Sequence, residues 1–421
     1  MIKVSNSCGG DSQSTNIVPA GLHAIRPHEW LQAALPGLDA FICRLKESSG
    51  PRPLDLRTED ARKLALSMSE ELWEKTTGAR PSESHFTLIF PVHDEEACLP
   101  SVLDSFKSVH LPSTVSAQIV FVTNACCDRS TQIVKDFLSQ IGQVQSFNAS
   151  CLTDFSVKTA SIVTHGNLKF LHVDTARAGK CFALNIGNRL AHSLGHRIVM
   201  SVDANNWLEP DSLSIFFADC RRCFFTAGSN IVALDGRPKV VMRAGGGIYA
   251  RLQKLRTKNG VPLCTDSQLC GWMMAWDSQW LEKAGGIPEV VLEDYSIALK
   301  AIRDGRSLGR STAARWGYMP NSFSDHMRTL LRIARGTIQL KEYFSESPEI
   351  LAALASDRML AKDLSGRLKG LFSASVRRPH KLPFYLCRAL VREWALWRAR
   401  RQLLDDPHSP GWDPIVSTKG V

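Results

Sequence analysis

The sequence has no apolar run that approaches the ~20 residues required by a membrane-spanning helix. Residues 1–10 also lack the apolar stretch that forms the core of a secretory signal. No Gly-x-Gly-x-x-Gly pattern follows the first apolar run, which disfavours a dinucleotide-binding oxidoreductase. These absences lead us to expect a cytoplasmic protein, either soluble or held peripherally at a membrane.

A recognisable zinc motif is missing as well. The chain has 12 cysteines, but they are scattered, and in a reducing compartment we expect them to be free thiols. The close pair Cys220 and Cys223 would need Cys264 and Cys270 to complete a zinc site, and these spacings match no zinc motif. We therefore favour a core position for Cys223, which runs into two phenylalanines.

The composition is that of a globular protein with an excess of positive charge. A chain of 421 residues with 44% hydrophobic and 22% charged residues can bury a sizeable core and form two or three domains. Its net charge of +10 favours phosphate-bearing ligands or an acidic membrane surface as partners.

Four apolar runs have the pattern of buried strands, and each one ends abruptly in polar residues. They cover residues 86–91, 119–122, 168–173 and 198–202, with amphipathic helices between them. Alternation of strand and helix predicts an α/β fold, a mostly parallel sheet flanked by helices. The carboxyl ends of parallel strands share one edge, so the polar residues that follow them are expected to converge there. Those residues are His93, Asp94, Glu96, Asn124, Arg177, Lys180 and Asp203.

Each of these residues, taken alone, also fits a turn or capping role. Asp128, followed by Ser130, fits a helix cap better than a ligand position. Glu293 and Asp294 likewise fit acids at the start of a helix. The convergence of several strand ends is what favours a binding site.

Five motifs in order resemble those of family 2 glycosyltransferases. They are Pro91 to Glu96, Asn124 to Ser130, Gly179 to Gly187, Asp203 to Asn205, and a block from Gly271 through Asp294 to Gly305. The likeness covers about residues 85 to 340. It implies a GT-A (Rossmann-like) fold and an inverting transfer of sugar from a nucleotide sugar.

The resemblance also implies roles for single residues. Asp294 corresponds to the family's general base, and Glu293 would orient the acceptor or support Asp294. Pro91, His93, Asp94, Glu96 and Asn124 belong to the donor-binding motifs, with Arg177 and Lys180 at the phosphates. Asp203 and Asn205 occupy the metal-binding turn, and His326 is a candidate third ligand for Mn²⁺ or Mg²⁺.

The chain departs from the family pattern at several positions. Asn205 replaces the usual second carboxylate, which predicts a weakly bound cation. At the position of Thr123, many relatives carry an acid that contacts uracil. A UDP-sugar is still favoured, but Thr123 supports a uracil base less strongly than that acid would. Thr329 and Ile333 replace the glutamine and tryptophan of processive synthases, which predicts transfer of a single sugar. An alternative consistent with Asn205 and Thr123 is a nucleotide-sugar-binding protein with weakened or lost catalysis.

We expect three segments: a helical accessory segment (1–84), the GT-A domain (85–345) and a basic helical C-terminal extension (346–421). The extension interleaves aromatic residues with Lys and Arg. It is consistent with contact with an anionic membrane, with binding of an acidic acceptor, or with a packed helix that has a solvated basic face. The acceptor is open among small molecules, peptides and lipid-linked compounds. No nucleic acid partner is expected, because the basic cluster lies outside the converging strand ends.

Overall fold

The computed structural model describes residues 84–147, 152, 154–241, 269, 271–318 and 322–356, together with 393–395, 397–402 and 404–405. The predicted accessory segment, 1–84, lies outside the described residues except for Ser84. Within the predicted C-terminal extension, the described parts are helical over 348–356 and near the chain's end. None of the described helices combines the length and the apolar character needed to span a bilayer.

Ten strands of the described residues form one mixed sheet. They are β1 (His85–Val92), β2 (Ser116–Asn124), β3 (Gln145–Ser146), β4 (Val157–His165), β5 (Leu168–Thr175), β6 (Ile198–Val202), β7 (Asn206–Leu208), β8 (Ile231–Val241), β9 (Met273–Asp277) and β10 (Ser307–Tyr318). Their order across the sheet is β3-β4-β5-β2-β1-β6-β9-β8-β10-β7. The pairings make β4, β7 and β9 run opposite to the other seven, so the predicted mostly parallel sheet is confirmed.

Helices cover both faces of this sheet. In the described segments they are α1 (Leu99–Phe106), α2 (Ser130–Ile141), α3 (Lys180–Ser193), α4 (Ser212–Phe225), α5 (Ser278–Lys283), α6 (Glu293–Arg303), α7 (Phe323–Tyr343) and α8 (Pro348–Ser356). Side chains of α1, α2 and α4 share one core, and those of α3, α5 and α6 share the other. The architecture is therefore a three-layer, Rossmann-like α/β fold.

The central strand β1 shows why its sequence reads as one apolar run. Successive side chains point to opposite faces, so Ile89 enters the core beneath α3 while Leu88 and Phe90 enter the core beneath α1. Because both faces of β1 are buried, none of its alternating residues has to be polar. On the α3 side the helix approaches closely, because a Cβ at Gly187 would lie 2.3 Å from Ile89 Cγ1.

The four strands predicted from the apolar runs are neighbours in the sheet. β5, β2, β1 and β6 are consecutive and parallel, with Asn124 opposite Thr175 and Val92 opposite Thr123. Their carboxyl ends therefore lie along one edge, as predicted. Cys220 and Cys223 lie in α4 as free thiols, and Cys220 is buried in the core.

Candidate functional site

Lys180 lies at the centre of the site, at the first residue of α3. Its ammonium Nζ is 2.5 Å from Asp203 Oδ1, at the end of β6, and 2.5 Å from Glu293 Oε1, at the start of α6. It also donates a hydrogen bond of 3.2 Å to the carbonyl oxygen of Gly271. The Lys180 side chain is only 4% exposed, and that of Glu293 3%. One buried cation therefore joins three separate segments of the chain.

Lys180 and Glu293 are held in their charged forms. Burial alone would lower the pKa of Lys180, but the carboxylates of Asp203 and Glu293 raise that pKa above its ordinary value. Burial would likewise raise the pKa of Glu293, yet the positive charges of Lys180 and Arg332 hold it below its ordinary value. Each charge is thus stabilised by its partner rather than by water.

Asp294, the next residue along α6, is in a different electrostatic environment. Burial, and then the negative charge of Glu293, raise the pKa of Asp294 to about 7. Its Oδ1 accepts a hydrogen bond of 2.8 Å from the backbone N–H of Tyr295, while its Oδ2 faces Gly271. A carboxyl group with a pKa near neutrality can accept a proton under physiological conditions, which is the property required of a general base.

Gly271 fixes the position of this carboxyl group. Its φ is +61°, and a Cβ added there would lie 2.8 Å from Asp294 Oδ2, a distance that forces movement. Gly271 stands at the start of the fifth motif, and the sequence alone gives no reason for a glycine there. The structure supplies two reasons, the backbone conformation and the close approach of Asp294.

We expect Gly271→Ala to lower activity on the order of 100-fold, because the new methyl group displaces the Asp294 carboxylate from its position. The matched control is Gly166→Ala, where φ is +60° and nothing lies within 4 Å of the added Cβ. Both variants carry the same backbone penalty, roughly 1–2 kcal/mol. Unfolding and activity measurements on the pair separate strain from displacement, and equal activity losses would contradict this role of Gly271.

A pocket opens at the carboxyl edge of the sheet, beside this cluster. Its lining residues are Pro91, His93, Glu95, Asn124, Gly179, Lys180, Asp203, Ala204, Asn205 and Arg332. Six of these residues were predicted from the sequence as donor or metal ligands. Glu95, Gly179, Ala204 and Arg332 were not.

His93 and Asn124 form one wall of the pocket. His93 Nδ1 lies 2.7 Å from the Asn124 carbonyl oxygen, and because a carbonyl can only accept, Nδ1 carries the proton. The Asn124 side-chain oxygen Oδ1 is buried and has no hydrogen-bond partner among the described residues. Such a group usually has a partner, so a ligand in the pocket that donates a hydrogen bond would satisfy it.

Asp94 and Glu96 do not line the pocket. Asp94 Oδ1 accepts hydrogen bonds from the backbone N–H groups of Cys127, at 2.7 Å, and Asp128, at 3.3 Å. Glu96 Oε2 accepts from the N–H of Arg129 at 3.0 Å. These carboxylates accept hydrogen bonds from amide groups of the turn before α2. In the structure they support the pocket wall from outside.

Arg177 also lies away from the pocket lining. Its guanidinium group forms an ion pair with Glu289 and lies over the Phe182 ring, 4.8 Å from the ring centroid. Half of its side chain is exposed. The pocket cation that the sequence prediction missed is Arg332, on α7. A signal is present in the sequence, because Arg332 lies between Thr329 and Ile333 in a segment, 328–336, that is rich in arginine.

The loop before α6, residues 284–292, is fastened to α3. The Asn185 side chain donates to the carbonyl of Ile287 at 2.7 Å and accepts from its N–H at 2.9 Å. The thiol of Cys181 donates to the carbonyl of Val290 at 3.0 Å. These contacts attach the loop that leads to Glu293 and Asp294 to the helix that carries Lys180.

The same loop is fastened to α7 on its other side. Gln339 Oε1 accepts a hydrogen bond of 2.9 Å from the N–H of Val291. Leu292 packs so closely on α7 that a Cβ at Gly336 would lie 2.4 Å from its Cγ. The loop is thereby held between the two helices that contribute Lys180 and Arg332 to the pocket.

The residues predicted as metal ligands fit a divalent cation only as a weak site. Asp203 Oδ1 is engaged by Lys180, and the Asp203 side chain is 24% exposed. Asn205 lines the pocket and brings an oxygen but no charge. His326 lies in α7, with its side chain outside the described residues. A hard cation would have to take most of its ligands from a bound phosphate group and water.

No family model matches the chain, and no curated protein matches it significantly. Similar solved structures include the mannosyltransferase PcManGT from Pyrobaculum calidifontis in complex with GDP-Man and Mn²⁺, with 18% identity, a TM-score of 0.48, and coverage of 82% of this chain and 96% of that one. Another is TarS 1-349 from S. aureus in complex with UDP-GlcNAc, with 16% identity, a TM-score of 0.38, and coverage of 76% and 92%.

Proposed function

We propose that the chain is a glycosyltransferase of the GT-A type, which transfers a single sugar from a nucleotide-diphosphate sugar to an acceptor with inversion. The observation that carries this proposal is the cluster of Lys180, Asp203, Glu293 and Asp294 beside a pocket at the carboxyl edge of four parallel strands. Open α/β sheets bind ligands at this edge. A UDP-sugar is the favoured donor.

One wall of the pocket, and a carboxylate at the neighbouring strand end, suit a nucleotide. Asn124 Oδ1, buried without a partner in the described part of the chain, would accept a hydrogen bond from a base or ribose donor. Thr123, where relatives carry an acid, donates its hydroxyl to Asp174 Oδ1 at 3.0 Å. Asp174 therefore brings a carboxylate to the same edge of the sheet from the neighbouring strand. A carboxylate there favours a base that can donate an N–H, such as uracil.

Arg332 is the cation best placed for the departing diphosphate. Lys180 is already neutralised by two carboxylates at 2.5 Å, so little of its charge is left for a ligand. Arg332 lines the pocket and acts on Glu293 through its positive charge. A preorganised cation stabilises the charge that develops on the leaving group. A divalent cation, Mn²⁺ or Mg²⁺, would supply further neutralisation when bound, with Asp203, Asn205 and His326 as its protein ligands.

Asp294 is the general base of this proposal. It would receive the proton of the acceptor hydroxyl as that oxygen attacks the sugar on the face opposite the nucleotide. Inversion needs only one such base. Glu293, ion-paired with Lys180, would keep the first turn of α6 in place and raise the pKa of its neighbour.

The pH dependence of activity should follow the protonation of Asp294. Because the group must be deprotonated to act and its pKa is raised to about 7, kcat/KM should fall about tenfold per pH unit below that value. Glu293→Gln removes the negative charge that contributes to this rise, so the acid limb should move to lower pH in that variant. A limb that stays in place would show that another group controls it.

The direct test is thermal stabilisation by a panel of nucleoside diphosphates, with and without Mn²⁺, followed by donor hydrolysis and transfer assays. The proposal expects uridine diphosphate to stabilise most and Mn²⁺ to add a modest further shift. Binding without any donor turnover would favour the nucleotide-sugar-binding protein with lost catalysis. No stabilisation by any nucleotide would overturn both functions.

The C-terminal extension is the part we propose to contact a membrane surface. Trp394 and Trp397 are exposed, and the guanidinium groups of Arg398 and Arg401 lie 5.2 and 4.6 Å from their ring centroids. Helical spacing puts these four side chains on one face of the described turns, opposite the buried Ala395 and Ala399. Tryptophan and arginine on one exposed face suit an interface of anionic headgroups.

We expect the double variant Trp397→Ala, Arg401→Glu to bind vesicles containing anionic lipid about tenfold more weakly or worse, because it removes one aromatic anchor and reverses one charge. Leu194→Ala, at an exposed apolar residue after α3, is the control. Vesicle co-sedimentation measures both. Equal binding by the double variant and the control would contradict the membrane contact.

A further inference from the structure

Three side chains with metal-binding atoms meet at the ends of β1 and β2, on the outer side of the pocket. His93, Asp94 and Cys126 each offer one ligand atom, and these atoms all lie within 4.8 Å of one another. His93 Nε2 is 3.9 Å from Asp94 Oδ2. This is the one group of three such residues in the searched, described part of the chain, and it excludes Asp203.

The nitrogen ligand His93 and the oxygen ligand Asp94 are each oriented by a backbone group. His93 donates through Nδ1 to the Asn124 carbonyl at 2.7 Å, which places the imidazole lone pair on Nε2. Asp94 Oδ1 accepts from the N–H of Cys127 at 2.7 Å, which turns Oδ2 toward His93. A ligating histidine with its second nitrogen bonded to a carbonyl is the arrangement found in protein metal sites.

The backbone around the cluster is held in an uncommon conformation. Asp94, with φ of 51°, and Ala125, with φ of 49°, are the non-glycine residues of the described chain that have positive φ. They are adjacent to or part of the cluster. Such conformations cost free energy and persist where the surrounding structure imposes them, often at ligand sites. Here they bring Cys126 of one loop to His93 and Asp94 of the other.

We propose that His93, Asp94 and Cys126 bind a thiophilic divalent cation, with Zn²⁺ as the best match. One nitrogen, one oxygen and one sulfur ligand suit Zn²⁺ far better than Mg²⁺ or Mn²⁺, which prefer oxygen alone. Binding releases the thiol proton of Cys126 to solvent, and the resulting thiolate neutralises part of the metal charge. This site differs in position and in ligand type from the oxygen site at Asp203 and Asn205.

The site has a consequence for the pocket that rests on the proposed function. His93 belongs to the cluster and also lines the pocket. His93 Nδ1 is already bonded to the Asn124 carbonyl, so an imidazole that binds Zn²⁺ through Nε2 has no nitrogen left to offer a nucleotide. Zn²⁺ and the donor nucleotide should therefore weaken each other's binding, by the same factor in both directions.

The test uses the full-length protein, stripped of metal with a chelator and titrated with Co²⁺ and then Zn²⁺. We expect one Co²⁺ to bind with a sulfur-to-cobalt charge-transfer absorption band, and Zn²⁺ to displace it. Cys126→Ser should abolish the band, whereas Cys127→Ser, which removes the exposed thiol next to it, should retain it. His93→Gln should weaken Zn²⁺ binding at least about tenfold. Thermal unfolding confirms that each variant is folded.

The metal site is overturned if the band survives in Cys126→Ser, if both cysteine variants lose it equally, or if the folded wild-type protein binds no Co²⁺ or Zn²⁺. The coupling between Zn²⁺ and nucleotide is measured separately, as the change in Zn²⁺ affinity on adding uridine diphosphate. If the proposed function fails, uridine diphosphate does not bind at all, and the cobalt experiment still decides the metal site.

Discussion

Replacing Asp294 by Asn should lower kcat by about 10²- to 10⁴-fold, the contribution typical of a positioned general base. The amide cannot accept the acceptor's proton, yet it has nearly the same size and keeps an oxygen to accept the hydrogen bond from the N–H of Tyr295. Nucleotide affinity should be unchanged, because Asp294 is not among the residues that line the pocket. Steady-state kinetics and nucleotide titration measure the two effects independently.

The matched control is Asp304→Asn, at the opposite end of α6. Asp304 accepts a hydrogen bond from Trp280 Nε1 at 3.0 Å, and an asparagine oxygen can take over that role. This variant should keep near-normal turnover. Near-normal turnover in Asp294→Asn would remove Asp294 from the mechanism, while a parallel loss of nucleotide affinity would assign it to donor binding.

Lys180→Met should destabilise the fold by about 3–5 kcal/mol, the range measured when one partner of a buried ion pair is removed. Methionine fills much of the same space but leaves Glu293, which is 3% exposed, without its ion-pair partner. Asp203 loses the same partner. Urea unfolding, followed by a spectroscopic probe, measures the change in the free energy of unfolding.

Lys107→Met provides the comparison on the surface. Lys107 pairs with Asp104 at 2.7 Å, but both side chains are more than 60% exposed, and such pairs contribute about 0–1 kcal/mol. The double variant Lys180→Met, Glu293→Gln should recover part of the stability lost in Lys180→Met, because it removes the unpaired carboxylate. If Lys180→Met lowers the free energy of unfolding no more than Lys107→Met does, the buried cluster does not hold the site together.

The sequence was sufficient to predict the sheet edge at which the pocket opens. Strands buried on both faces give continuous apolar runs, and each run that stops at a polar residue marks a carboxyl end. The strands outside the parallel centre were not predicted from their residues. β4, for example, has exposed residues on both faces and only Val163 fully buried, so its apolar and polar residues follow no clean period.

Side-chain partners were harder to predict than strand ends. Lys180 and Glu293 are 113 residues apart, and they become neighbours only in the fold, where the loop before α6 is fastened to α3. The sequence placed Lys180 at the phosphates, whereas the structure gives its charge to two carboxylates and puts Arg332 at the pocket. Asp94 and Glu96 illustrate the same difficulty, because a sequence does not distinguish a carboxylate that faces a ligand from one that satisfies turn amides.

The loop at residues 284–292 has a kinetic consequence. It is bonded to α3 through Asn185 and Cys181 and to α7 through Gln339, and it leads directly into the turn that carries Asp294. A loop that is ordered by the fold loses its conformational entropy once, when the chain folds, rather than in every catalytic cycle. In the proposed mechanism, the acceptor's proton would meet a carboxylate that is already in position, so ordering of this loop would not limit turnover.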